Sequence, residues 1–440
     1  MLVNIHPHYL SWIPFFLLSI QVQAQDPVWS LENCIDTALL HNKTIQIAQN
    51  QGKIARLKNQ EANAQLLPKL FFQSDYRYFT ELPYQLMPQS AFGGPEGVFR
   101  EVQFGVPHNI SANLSLKMPL YDPQVMGSIK ASQTFQELSL LQEAKTKEQV
   151  YLEVANLYYN AQILKNQLAF IRENLVNSRK LEKNTRLLYE QTLAQRTDWD
   201  KVLLQNQQLE SSVTQVESRY ETVLNALKFV MGLPLHSPID VALDIGQTEK
   251  EVGSTRSTLD ERVQEKKQQL ALQELSTLRH SKIPSLSLIG NYGRTGFGYT
   301  GNPESFLNFY PVSFVGVQLS VPLFNGTVTN KKVHQKKIEV QNSQLQQELI
   351  TEQAHMAYQN ASLQSQVAEN LLHTSQQQID LAASVYQKTL IQQQEGMVSL
   401  TEVLLADNAL RDAQQQYLNV LVDYLKANLE RKKTSGNLLN

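Results

Sequence analysis

Residues 125–192 contain no proline and one glycine, Gly127 near the start. A helix drawn from that stretch, at about 1.5 Å per residue, spans roughly 100 Å, several times the width of a small globular domain. Val150, Val154, Leu157, Ala161, Leu164, Leu168, Ile171 and Leu175 alternate spacings of four and three along it. Leu209, Val213, Val216, Tyr220, Val223, Leu227 and Val230 repeat the rhythm, and Leu410, Ala413, Tyr417, Val420, Tyr424 and Ala427 continue it near the end. Sustained periodicity of this kind predicts coiled-coil packing of long helices, with Gln, Asn, Glu, Lys and Ser on the wet faces.

The chain is also doubled. "LLPKLFFQSDYRY" (66–78) resembles "KIPSLSLIGNYGR" (282–294), with Pro68 over Pro284 and Tyr76 over Tyr292. "NLSLKMPLYDPQV" (113–125) resembles "GVQLSVPLFNGTV" (316–328), with Pro119 over Pro322. Each half reads helix, proline, strand, loop, strand, proline, long helix, short break, helix. This places a first repeat over 25–235, a linker over 236–258 and a second repeat over 259–440. The four prolines are expected at strand–helix junctions, because proline is tolerated at strand ends and in a helix's first turn.

Four strands are predicted, near 70–79, 109–120, 285–294 and 311–323. On the second, Ile110, Ala112, Leu114, Leu116, Met118 and Leu120 share one face, and Ser111, Asn113, Ser115 and Lys117 the other. On the fourth, Val315, Val317, Leu319, Val321 and Leu323 oppose Gly316, Gln318 and Ser320. Alternation alone fits a half-buried strand of a soluble sheet as well as a barrel strand with lipid outside and water inside. Tyr78, Phe79, Phe306, Phe309 and Tyr310 near the strand ends add the aromatic girdle of a barrel. Four strands cannot close a barrel, since single-chain barrels start at about eight, so the chain must associate.

The start of the chain reads as an export signal, with the apolar run "SWIPFFLLSI" and a small residue for cleavage after Ala24, giving a signal peptide over 1–24. No later stretch reaches the length a spanning helix needs, which leaves a β-barrel as the route into a membrane. The net charge of −2 supports neither nucleic-acid binding nor a polybasic membrane anchor. Cys34 is the one cysteine, so no intramolecular disulfide can form; in "LENCIDTALL" it reads as a small buried hydrophobe. The histidines show no metal spacing, and no serine or cysteine sits in a nucleophile context. "GRTGFGYTG" has the look of a phosphate loop but follows a barrel-type strand and leads into no helix. No enzyme and no cofactor is expected.

With these elements in place, the sequence resembles the TolC-like outer-membrane efflux family. The resemblance rests on the two "LLP/IPS" strand entries, the two "(M/V)PL(Y/F)" exits, "WSLENCIDTALLHNKTIQIA" (29–48) and "EGMVSLTEVLLADNALRDAQQQYLNVLVDYLKANL" (395–429). It implies a mainly α fold with a β-barrel part: a long antiparallel coiled-coil tunnel joined to a transmembrane barrel that trimerisation completes, four strands per protomer. It also implies a homotrimer in outer-membrane lipid with a long periplasmic extension. There it would act as the channel of a tripartite efflux or type I export system, with a periplasmic adaptor and an inner-membrane pump. A periplasmic coiled-coil adaptor or scaffold is the alternative; it would have no reason to present lipid-facing alternation twice.

The resemblance assigns roles at two hairpin tips, "TLAQRTDWDKV" (192–202) and "QEGMVSLTEVL" (394–404), aligned with Ala194 over Gly396 and Asp200 over Glu402. Leu193, Ala194, Gln195, Gly396, Met397 and Val398 become adaptor contacts, and Asp198, Asp200, Glu402 and Asp407 become carboxylates of the periplasmic entrance. Thr197-x-x-Asp200 and Ser399-x-x-Glu402 also read as capping boxes, the second closer to the preferred pattern. The first tip has alanine where glycine is usual, and Val398 and Leu405 replace the basic and acidic residues of the best-known pattern.

Overall fold

The computed structural model describes residues 28–244, 256–299, 301 and 308–438. The signal segment, Phe306 and part of the linker lie outside these residues. The described chain divides into two compact units, residues 28–36 with 157–244, and residues 37–156 with 256–438.

The smaller unit is built on residues 157–190 of α3 (Pro123–Glu190) and on α4 (Arg196–Met231). Leu209, Val216, Leu227 and Val230 are buried as the heptad predicts. Arg172 and Arg179 on α3 pair with Glu217 and Glu210 on α4 at 2.6 and 2.7 Å. A parallel pair of two-residue strands, β1 (Val28–Trp29) and β6 (Asp240–Val241), lies against these helices. Tyr158 donates to the Trp29 carbonyl at 2.9 Å, and Gln162 donates to the carbonyls of Ala242 and Asp244. Lys165 reaches Asp240 at 2.6 Å and Tyr220 donates to the same carboxylate at 2.7 Å. Burial pushes the Asp240 carboxyl up, and the hydrogen bonds from Lys165 and Tyr220 outweigh it, leaving a lowered pKa. Cys34, on α1 (Leu31–His41), is fully buried, and burial raises its thiol pKa to about 12.

The larger unit holds α2 (Lys43–Ala64), residues 123–156 of α3, α5 (Leu259–His280), α6 (Val328–Gln394) and α7 (Leu400–Thr434). The helical stretch that follows β1 is broken at Asn42, whose side chain accepts from the amides of Thr44 and Ile45 and caps α2. A capping box between Thr258 and Glu261 opens α5. Four long strands form one antiparallel sheet in the order β2 (Lys69–Tyr78), β5 (His108–Tyr121), β7 (Ser285–Gly298), β8 (Asn308–Ser320). "GRTGFG" is the upper end of β7. The loop after β2 holds an unforeseen hairpin, β3 (Tyr84–Pro88) with β4 (Phe99–Gln103), closed through a left-handed Gly93.

The helices follow the order of the sheet. Asn59 on α2 donates to Gln136 on α3 at 3.1 Å, and Lys266 on α5 pairs with Glu137 on α3 at 2.7 Å. Gly127 lets α5 approach: a Cβ there would meet Thr277 Oγ1 at 2.2 Å. Lys336 on α6 pairs with Glu274 on α5 at 2.8 Å. The sequence of neighbours is therefore α2, α3, α5, α6, matching β2, β5, β7, β8. The outer members of both rows, α2 with β2 and α6 with β8, have one neighbour each in these rows.

Candidate functional site

The sheet register sorts its side chains into two faces. Leu70, Leu116, Gly290 and Val315 lie in one cross-strand row, and Phe72, Leu114, Tyr292 and Ser313 in the next. Below them Met118, Leu288 and Val317 align, then Tyr121, Leu286 and Leu319. Phe72 and Val315 are 73% and 79% exposed. The apolar face formed by these rows, bordered above by the row of Ser74, Ala112, Arg294 and Pro311, is larger than a soluble monomer leaves to water. The opposite face is the more polar one, carrying Gln73, Asn109, Asn113, Ser115, Asn291 and Gln318, with Phe71, Ile289, Val312 and Phe314 among them. There a Cβ on Gly293 would come within 2.2 Å of Asn113 Oδ1, so only glycine fits under that side chain. Among the described residues no helix is long and apolar enough to cross a membrane.

The aromatic residues divide by face. Tyr78 and Phe309 fall on the apolar side, whereas Tyr310 falls on the other and lies 6.0 Å from the Phe297 ring. Leu120 does not continue the apolar row. The ladder slips between Pro119 and Tyr121, so Leu120 is the extra residue of a bulge and Tyr121 takes its place opposite Leu286.

Pro68 and Pro284 each directly precede a strand, β2 and β7. Pro119 lies inside β5, two residues from its end, at the bulge that relieves the ladder of its missing N–H. It is Pro123 that opens α3, with the Asp122 carboxylate accepting from the amides of Gln124 and Val125 at 2.9 and 3.3 Å. β8 ends at Ser320, so Val321, Pro322 and Leu323 belong to an irregular segment that reaches α6 through Gly326 and Thr327, both left-handed.

The two tips are the same turn, in a register two residues from the expected one. Thr192 donates its N–H to Tyr189 and Leu193 to Leu188; Gly396 donates to Gln393 and Met397 to Gln392. Thr192 therefore stands over Gly396, and Asp198 over Glu402, each in the first turn of its helix. Leu193 and Met397 are 72% and 69% exposed at the apices. Ala194 and Val398 follow them, and Gln195 and Ser399 hold the N-cap positions.

Neither capping box closes. The N-cap of α4 is Gln195, so Thr197 lies inside the helix, and Asp200 is drawn to Arg196 at 2.9 Å, one turn back. Ser399 is the N-cap of α7, but its side chain makes no capping hydrogen bond. Asp198 lies 3.4 Å from Lys201, and Glu402 is exposed. Asp407 is different: it is buried and paired with Arg411 at 2.9 Å. The Tyr386 hydroxyl beside it has its pKa raised to about 12, by burial and then by the Asp407 charge. Sequence reasoning missed an aromatic clasp at the first tip, where Arg196 stacks 4.3 Å from the Trp199 ring and Tyr189 lies 5.7 Å from it. The i, i+3 spacing of Arg196 and Trp199 carried that signal.

Residues 258–436 match the family described as "Outer membrane efflux protein". No curated protein matches the chain by sequence. Among solved structures, the outer membrane protein VceC of Vibrio cholerae is similar with a TM-score of 0.76 at 16% identity, over 92% of this chain and 96% of that one. The CmeC outer membrane channel of Campylobacter jejuni gives 0.76 at 14% identity, over 100% of this chain and 94% of that one. The open state of the MtrE outer membrane channel of Neisseria gonorrhoeae gives 0.72 at 16%, over 93% and 89%. The second half of this chain is thus similar to the outer membrane efflux proteins by sequence, and the chain shares the fold of these outer membrane channels over nearly all its length.

Proposed function

We propose that three copies of this chain close a twelve-stranded barrel in the outer membrane and a helical tunnel beneath it, forming the exit duct of a tripartite efflux or export system. One observation carries the reading: the strands and the helices α2, α3, α5 and α6 share one neighbour order, and the sheet ends in two unpaired edges, β2 and β8. Lateral joining of β8 to the β2 of the next copy would pair both sheet edges, which otherwise expose rows of N–H and C=O groups. The same step would set α6 beside α2. Both carry exposed apolar residues at sevenfold spacing, Ile47 and Ile54 on α2 and Leu349, Met356 and Leu363 on α6.

The apolar face then meets lipid, and the polar face lines the duct. Leu193 with Ala194 and Gln195, and Gly396 with Met397 and Val398, form the surface offered to a periplasmic adaptor. Asp198, Asp200 and Glu402 supply negative charge near the entrance, while Asp407 holds the α6–α7 hairpin from within. The two halves of the chain, 25–235 and 259–440, act as repeats about a linker at 236–258. The test is fractionation of cells with a photocrosslinking side chain at Leu193 or Met397. Outer-membrane recovery and crosslinks to a periplasmic protein support the reading; a soluble periplasmic monomer overturns it.

A further inference from the structure

Lys69 on β2 and Lys117 on β5 stand directly opposite one another on the polar face of the sheet. Both are exposed, and among the described residues neither lies in a salt bridge. Like charges facing each other across an antiparallel pair destabilise it, so the sheet gains nothing in stability from this arrangement. Farther up the same face the opposite choice is made: Arg77 and Asp75 neutralise each other at 3.2 Å. The lysines line a depression of about 280 Å³ with Gln65, Ser285, Ser287 and Gln318, at the helix end of the strands. Asp122 is the one acid on its rim, and its Oδ1 is taken up by the amides that open α3. The result is a polar hollow of net positive charge, rich in hydrogen-bond donors.

We propose that Lys69 and Lys117 form an anion-binding ring at the periplasmic end of the barrel lumen, which draws multiply charged oxyanionic substrates from the tunnel into the pore. The inference rests on the reading above, in which the polar face is the lumen and three copies surround it. Six ammonium groups then ring one passage, each a compact point charge with three donors, suited to phosphate-like oxygens in many orientations. Several weak contacts to one polyanion raise its local concentration without a tight site that would hold it.

The experiment is titration calorimetry of the detergent-extracted protein with sodium tripolyphosphate at low salt. Wild type should bind, and K69Q/K117Q should lose at least tenfold in affinity, while K69R/K117R keeps most of it. Added salt should weaken the wild-type signal. Should the double variant assemble poorly, K117Q alone, which keeps one lysine, should lie between. No binding by the wild type, or equal affinity in the glutamine variants, overturns the inference. The mass of the particle separates the two claims. A trimer indifferent to tripolyphosphate sinks the anion ring alone, whereas a protein that never forms a trimer sinks the reading on which it rests.

Discussion

Thr192 and Gly396 occupy the same left-handed position in their two turns, with φ of 62° and 74°. Glycine holds that conformation without penalty; threonine, with its branched Cβ, does not. The first tip therefore carries backbone strain that the second lacks. Thr192→Gly should stabilise the protein by about 1 kcal/mol and Gly396→Thr should destabilise it by about 1–2 kcal/mol, read as thermal melts in detergent. Melts that move together, in the same direction, would contradict the shared register.

The buried ion pair separates Asp407 from the other tip carboxylates. Asp407→Asn leaves Arg411 without its charge partner in a covered site and should cost about 3 kcal/mol, whereas replacing both by apolar residues of similar size should cost less. Asp198→Asn with Glu402→Gln should instead leave the melt unchanged and lower the cation preference of the conducting channel. Reversal potentials in planar bilayers, set beside the melts, check both halves of the statement.

The same contrast shows what the sequence could and could not convey. Period-two alternation marked all four barrel strands to within a few residues, because lipid and water act on alternate side chains. It could not show the bulge at Leu120, which depends on where Pro119 meets its partner strand. The hairpin of β3 and β4 lay hidden in a loop rich in proline and glycine, where no face is buried and so no pattern is imposed. The tips were aligned on small residues, Ala194 with Gly396, although the turn is fixed by backbone handedness and its left-handed residue is a threonine. Distance from the tip placed Asp407 near the entrance but could not tell which way its helix face turned.

Glu148 carries a pH signature. Burial first, and then the charges of Asp260 and Glu430, raise its carboxyl pKa above 4.5 against the pull of Lys433 and Lys145. The folded state therefore favours the protonated form. Its contribution to stability is fully present below the unfolded pKa of 4.5 and is lost as pH rises through the folded value. Glu148→Gln should raise the melting temperature at pH 7 and change it little below pH ~4. A variant that melts lower than wild type at neutral pH would show that the charged form is the stabilising one.

Gly293 offers a packing test on the polar face. Gly293→Ala drives a methyl group into Asn113 and into the Ala112 carbonyl, at 2.2 and 2.6 Å, and should lower the yield of assembled protein. Asn113→Gly in the same chain should restore part of it by clearing the nearer clash. No effect of the alanine would mean that the two strands are not held in the observed register.

The joining of β8 to a neighbour's β2 is tested most directly by cysteines on those two edges, Phe72→Cys and Val317→Cys, bridged with a flexible bis-maleimide in isolated outer membranes. Cys34 should stay silent, being fully buried with a thiol pKa of about 12. A chain carrying both substitutions should give a ladder of crosslinked species that stops at the closed trimer, and a chain carrying either one alone should give almost none. Monomer only, or a ladder running on past three copies, would contradict a barrel closed by three chains.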